Sequence, residues 1–227
     1  MKISLMYRAV FCVLFPLALA GCSYHGQVRR VDTQRAAAKS KFAASVFVAQ
    51  TDIRPITVSD PSSRALYDFT LDVKTAVYES TADMLAAVFA RVETGENIPQ
   101  TSVDWVAEVS LISELTRSDC TSKQPQLAAR QNGVCSELTL TFYPAGKTTP
   151  LATFSARSWR VFDKPGTAAV IRFINKWTLY ALSPVLLPAY TQLQGNQLRT
   201  QVQNQLQEVL GDIQKQLQAR EDFLLTH

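Results

Sequence analysis

The chain has 227 residues, of which 47% are hydrophobic, an ordinary share for a globular protein with one core. Its 23 basic and 19 acidic residues give a net charge of +4, which is too small to indicate nucleic-acid binding. Histidine occurs only as His25 and His227. That placement argues against a catalytic Ser-His-Asp or Cys-His arrangement, since neither position lies inside a predicted element.

Residues 1–21 have the parts of a secretory signal peptide. Lys2 and Arg8 supply positive charge, and residues 9–20 form an apolar core that is shorter than the roughly 20 residues of a membrane span. The core ends in the run LAGC, which closes at Cys22 and resembles a bacterial lipobox. The resemblance implies cleavage before Cys22 and attachment of lipid, including palmitate, to its thiol. An ordinary secretory signal and an uncleaved signal anchor are the alternatives.

Ser23 follows the cysteine that the lipobox would lipidate. In Gram-negative lipoproteins an aspartate at this place resembles an inner-membrane retention signal, and serine does not. The resemblance therefore implies a lipid-anchored protein of the outer membrane that faces the periplasm. The leader removes two basic residues and no acidic one, so the mature side-chain charge is 21 − 19 = +2.

Residues 22–44 are predicted to form a tether. The segment contains five basic residues and one acidic residue, Asp32, and few large apolar residues. The basic residues are Arg29, Arg30, Arg35, Lys39 and Lys41. A solvated linker and a basic run lying on anionic lipid headgroups both fit this composition.

Residues 45–162 are predicted to form one α+β domain. Strands are expected over 45–49 and 66–71, followed by an amphipathic helix over 72–92. Residues 103–115 alternate apolar and polar side chains, as a strand of an antiparallel sheet with one wet face does. A hairpin over 137–157 turns at Gly146, and a bulge is expected between Ala156 and Trp159.

Two cysteines remain after the leader and the anchor are set aside. Cys120 and Cys135 lie 15 positions apart, and in an oxidising compartment a disulfide between them is predicted. Two free buried thiols are the alternative. A metal site is not expected, because neither cysteine has a histidine near it in sequence.

Residues 163–227 are predicted to form a helical extension that packs on the domain, with helices over 167–182 and 197–220. The second helix carries an apolar stripe that includes Leu206, Leu210 and Ile213, and its other faces are rich in glutamine. We expect the stripe to join the core of this chain; contact with a partner is the alternative.

Residues 168–190 form an apolar segment that is interrupted by charge and proline. Arg172 and Lys176 lie one helical turn apart, with Trp177 and Tyr180 nearby, which suits a helix in a bilayer interface. These four residues are candidates for membrane or partner contact. Packing against the sheet or the last helix is the alternative.

No sequence motif for catalysis, metal binding or cofactor binding is present. Glu108 and Glu114 could serve carboxylate-only chemistry, but the pattern puts them on the polar face of a strand, where solvated surface charge is the expected role. The sequence therefore predicts a non-enzymatic protein with no cofactor.

The whole pattern indicates an α+β fold in which an antiparallel sheet packs with amphipathic helices and a C-terminal helical extension. The lipobox, the helix over 72–92 and the Gly146 hairpin resemble small outer-membrane lipoproteins with a TolB N-terminal-like fold. That resemblance implies an accessory or docking subunit of a cell-envelope complex for transport, secretion or cell-wall assembly, with an envelope protein as partner. A lipoprotein that binds lipid or a small apolar ligand through residues 168–190 is the alternative.

Overall fold

The computed structural model of the chain describes residues 23–33, 42–51, 53–59, 68–95, 103–116, 120, 133–161 and 183–220. These residues form strands and helices in an α+β arrangement, which confirms the predicted class. The signal peptide, Cys22 and the four candidate contact residues between 172 and 180 lie outside the described residues. The elements in chain order are β1 (Ser23–Gln27), β2 (Phe42–Ala49), β3 (Ile56–Ser59), β4 (Asp68–Asp72), α1 (Lys74–Ala86), β5 (Phe89–Gly95), β6 (Trp105–Thr116), β7 (Gly133–Pro144), β8 (Ala152–Val161) and α2 (Ser183–Ala219).

Five strands form the larger sheet, in the order β5-β2-β6-β7-β8. Strands β6, β7 and β8 are an antiparallel meander, and its second turn contains Gly146 at a φ of 73°, a conformation that glycine adopts without strain. Strand β2 instead pairs in parallel with both β5 and β6. The sheet is therefore mixed: its antiparallel half follows the predicted pattern, and the parallel half depends on a crossover through β3, β4 and α1.

The smaller sheet shows that the predicted tether is wrong for residues 23–33. Strand β1 pairs in parallel with β4, which also pairs with β3. Tyr24, Val28 and Val31 are buried, while Arg29 and Arg30 point to solvent. The segment reads as a linker in the sequence because its charges are at the surface and its few apolar residues are in the core. Strand β2 likewise begins at Phe42, inside the predicted tether.

The predicted helix over 72–92 is shorter in the structure. Helix α1 ends at Ala86, and the residues from Phe89 onward form β5 at the edge of the larger sheet. Val88, Phe89 and Val92 fit a helical stripe in the sequence, but pairing with β2 satisfies the β5 backbone instead. The predicted bulge in β8 is also absent: the register with β7 is regular from Ala152 to Val161.

Helix α2 is the predicted C-terminal helix, and it packs on the domain as part of its core. Its apolar stripe is at most 2% exposed; the members are Leu198, Val202, Leu206, Val209, Leu210, Ile213 and Leu217. These side chains join the same cluster as β1, α1 and the inner face of the larger sheet. The helix begins at Ser183, well before the predicted residue 197, with Pro184 in its first turn, where proline is tolerated.

Candidate functional site

The predicted contact residues of the last helix are in the core. Leu206 is 2% exposed, and Leu210 and Ile213 are 0% exposed. They are therefore not available to a membrane or a partner, and their role is structural. Their side chains belong to the same buried cluster as residues of β1, α1 and the larger sheet.

The predicted cysteine pair is bonded in the structure. The Cα atoms of Cys120 and Cys135 are 6.1 Å apart, within the range for a disulfide. Cys135 lies in β7 and Cys120 in the connection that leads to it from β6. The bond therefore ties that connection to the sheet.

Segment 23–33 and α2 form a close seam. The Tyr24 hydroxyl donates a hydrogen bond to Asn196 Oδ1 at 3.0 Å, and the Tyr24 ring covers Gly195 so closely that a Cβ on that glycine would overlap it. Further along, Gln207 Nε2 donates to the Asp32 carbonyl at 3.3 Å. The seam fixes segment 23–33 onto α2.

A cleft of about 400 Å³ opens beside this seam, between the end of β1, the first turns of α1 and the middle of α2. Its charged lining residues are Arg29, Arg30, Arg199 and Glu79. Arg30 also pairs with Asp83 of α1. Within the described part of the chain, neither Arg29 nor Arg199 forms an ion pair. The cleft is therefore polar and carries excess positive charge, which suits an anionic group better than an apolar ligand.

Sequence reasoning found only part of this cleft. Arg29 and Arg30 belong to the basic run that was assigned to the tether, whereas Arg199 lies on the last helix, 170 positions after Arg29. No local pattern connects them, because parallel packing of segment 23–33 along α2 brings them together.

A polar network joins α2 to the larger sheet beneath the apolar stripe. Gln205 is fully buried; its Nε2 donates to the Val134 carbonyl at 2.7 Å and its Oε1 accepts from the Ser136 hydroxyl at 3.2 Å. Nearby, Glu208 accepts from the Ser158 hydroxyl and from Arg160. The bonds of Gln205 show that at least one glutamine of this glutamine-rich helix has a structural role.

The glutamates considered for catalysis lie on the outer face of the larger sheet. Glu108 and Glu114 are both exposed on β6. Desolvation raises the pKa of Tyr143, and the charge and hydrogen bond of Glu108 raise it further, so this phenol stays protonated at neutral pH.

The described residues contain neither a cluster of metal-ligating side chains nor a membrane-spanning helix. Over the ranges given above, no group of three or more His, Cys, Asp and Glu side chains could hold a metal ion. In the same ranges, no helix is both long enough and apolar enough to cross a membrane.

Comparison with known proteins gives weak likenesses. No family model and no curated protein matches the chain. A protein of Xanthomonas campestris assigned to the family DUF330 aligns at 17% identity over 80% of this chain and 97% of that chain, with a TM-score of 0.38. A dodecamer of PelC from Paraburkholderia phytofirmans aligns at 13% identity over 79% and 90%, with a TM-score of 0.36. A neuraminyllactose-binding hemagglutinin homolog from Helicobacter pylori aligns at 12% identity over 73% and 100%, with a TM-score of 0.35. These scores are too low to transfer a fold family or a function to this chain.

Proposed function

We propose that this protein is a non-enzymatic lipoprotein, anchored through Cys22 to the periplasmic face of the outer membrane, that serves as an accessory or docking subunit of a cell-envelope complex. The observation that carries the proposal is the run LAGC after a charged and apolar leader. Strand β1 begins at Ser23, directly after the residue that the lipobox would lipidate. The scarcity of histidine favours a binding role over catalysis.

Metabolic labelling tests the anchor. Radiolabelled palmitate is expected to enter the wild-type protein and not Cys22→Ala, and the wild type is expected to fractionate with the outer membrane. Ser23→Asp is the matched sorting variant, and it should move the labelled protein to the inner membrane. A wild-type protein that is recovered unlabelled from the soluble periplasm would refute the anchor.

Site-specific crosslinking tests the docking role. Ile112 is 54% exposed on the outer face of the larger sheet, so a photoreactive residue at this position can report a partner without disturbing the core. Lys215 on α2 is also exposed and is the second probe position. We expect a discrete adduct with an envelope protein from at least one position in intact cells. If neither position gives an adduct and the protein purifies alone from solubilised membranes, the docking role is wrong.

A further inference from the structure

The cleft between β1, α1 and α2 is lined mainly by polar side chains. Its volume of about 400 Å³ falls within the roughly 300–1,000 Å³ of small-molecule sites. Val28 and Ala76 are its apolar lining residues, and the other six are polar or charged. A cleft of this size and composition suits a small hydrophilic molecule better than an acyl chain.

The lining of the cleft carries excess positive charge. Arg29, Arg30 and Arg199 stand against Glu79, which leaves an excess of two positive charges on the lining at neutral pH. Asp83 balances one of them through its ion pair with Arg30. In the part of the chain that the structure describes, Arg29 and Arg199 have no acidic partner. An anion would supply the partner that these two guanidinium groups lack.

The beginning of α1 adds backbone donors beside the arginines. The Lys74 N–H donates to the Asp72 carboxylate at 3.0 Å, and the Val77 N–H bonds within the first turn. Between them, the N–H groups of Thr75 and Ala76 have no acceptor within the helix, and both residues line the cleft. The partial positive charge of the helix N-terminus has the same sign as the arginines. Guanidinium groups and helix N–H donors are both suited to phosphate oxygens.

We propose that this cleft binds a small phosphate ester, with Arg29 and Arg199 as the residues that contact the phosphate. A tetrahedral phosphate accepts hydrogen bonds from several directions, which suits donors that come from β1, α1 and α2 together. The volume beyond the phosphate takes the hydrophilic body of the ester. Glycerophosphate is the chemistry shared by two sources, the headgroup of an anionic phospholipid and a soluble phosphate ester. The proposal does not depend on the lipid anchor.

Titration calorimetry of the full chain, as cells process it and purified in nonionic detergent, tests the site. The probes are glycerol 3-phosphate, glycerophosphoglycerol, which is the headgroup of phosphatidylglycerol without its acyl chains, and glycerol as the neutral control. We expect both phosphates to bind with an affinity that falls as salt is added, and glycerol not to bind. Tighter binding of glycerophosphoglycerol supports the site with a lipid headgroup as the source, and tighter binding of glycerol 3-phosphate supports it with a soluble ester.

Charge-neutral variants assign the binding to the cleft. Arg29→Gln and Arg199→Gln should each weaken binding of both phosphates by about tenfold, because each removes a charged donor. Glu79→Gln should tighten binding, since it removes the negative charge of the lining, and a merely structural role would not produce this effect. Arg54→Gln is the matched control: Arg54 is exposed and lies outside the lining, and its loss changes the net charge equally. It should leave the affinity unchanged.

Two results would overturn the proposal. One is that neither phosphate binds the wild type at millimolar concentration. The other is that Arg54→Gln weakens binding as much as Arg199→Gln, which would assign the attraction to the net charge of the protein. Melting temperatures of the variants separate a lost ligand contact from a lost fold, and Arg29→Gln, at an exposed position, is expected to keep the wild-type value. Failure of the palmitate labelling would refute the anchor and leave the calorimetric result standing.

Discussion

Two glycines of α2 show how the environment of a single residue decides its energetic role. Gly195 lies under the ring of Tyr24, where no Cβ fits, whereas a Cβ on Gly211 would have no heavy atom within 4 Å. Packing against Tyr24 therefore requires glycine at position 195. No contact in the structure requires glycine at position 211.

Alanine at these two positions should have opposite effects on stability. Gly195→Ala is expected to lower the free energy of unfolding by about 1–3 kcal/mol, because the methyl group would displace Tyr24 and the β1 seam. Gly211→Ala is expected to raise it by about 0.5–1 kcal/mol through helix propensity. Urea unfolding followed by circular dichroism measures both. Equal stabilisation by the two substitutions would contradict the close contact between Tyr24 and α2.

Asp104 joins the start of β6 to β2. One of its carboxylate oxygens accepts from the Ser45 backbone N–H and from the Ser45 hydroxyl, each at 2.7 Å. The backbone hydrogen bond, followed by the hydroxyl bond, holds the pKa of Asp104 below its ordinary value of 3.8. Because the folded pKa is the lower one, the carboxylate contributes stability above 3.8 and loses this contribution as the pH falls through the folded pKa.

The stability difference between the wild type and Asp104→Ala should therefore depend on pH. We expect a constant difference in urea midpoint from neutral pH down to the ordinary pKa of an aspartate, and a shrinking difference below it. Ser45→Ala is the control: it removes the hydroxyl bond but keeps the backbone bond, so part of the pH dependence should remain. A difference that grows as the pH falls would show that the hydrogen bonds favour the protonated acid.

At the scale of elements, α2 is held on the sheet by polar bonds as well as by its apolar stripe. Gln205 satisfies the Val134 carbonyl and Ser136 at a point where the helix crosses β7. A buried amide in this place costs stability if its partners are lost, because the abandoned groups cannot reach water. The bonds also fix which turn of the helix meets the strand.

Gln205→Ala should lower the free energy of unfolding by about 1–3 kcal/mol, since the Val134 carbonyl loses its side-chain donor and Ser136 its acceptor in a buried place. Gln192→Ala, at an exposed position of the same helix, is the matched control and should have little effect. Thermal and urea unfolding give both values. Two equally neutral substitutions would indicate that water replaces the Gln205 side chain.

At the scale of the whole molecule, segments that are far apart in sequence share one core. Tyr24, Phe69, Phe142 and Leu210 belong to the same cluster, so the ends and the middle of the chain fold together. The disulfide between Cys120 and Cys135 adds a covalent link that closes a loop between two residues 15 positions apart. In the chain-entropy model a loop of this size is worth about 3 kcal/mol.

Removal of the disulfide should destabilise the fold without changing its secondary structure. The double variant Cys120→Ser/Cys135→Ser is expected to lose about 3 kcal/mol relative to the oxidised wild type, with an unchanged far-ultraviolet circular dichroism spectrum. The reduced wild type should lose a similar amount, which serves as the control for the substitutions. If reduction leaves the melting temperature unchanged, the two thiols are not joined in solution.

Local pattern in the sequence determines several parts of this protein. Alternation over 103–115, the turn at Gly146 and the stripe of α2 predict the meander and the core helix, because each depends on side-chain periodicity within one segment. The α+β class follows from the order of these elements. The leader and the lipobox, which support the proposed anchor, are also local, since a contiguous run of residues carries each of them.

Tertiary structure decides what depends on partners distant in sequence. Strand β1 exists because β4 and α2 bury Tyr24, Val28 and Val31, and a short segment with many surface charges cannot show this by itself. The switch from α1 to β5 depends on the free edge of β2, since pairing can override a helical pattern. The arginine-lined cleft likewise arises when residues some 170 positions apart pack together, a relation that no window of the sequence contains.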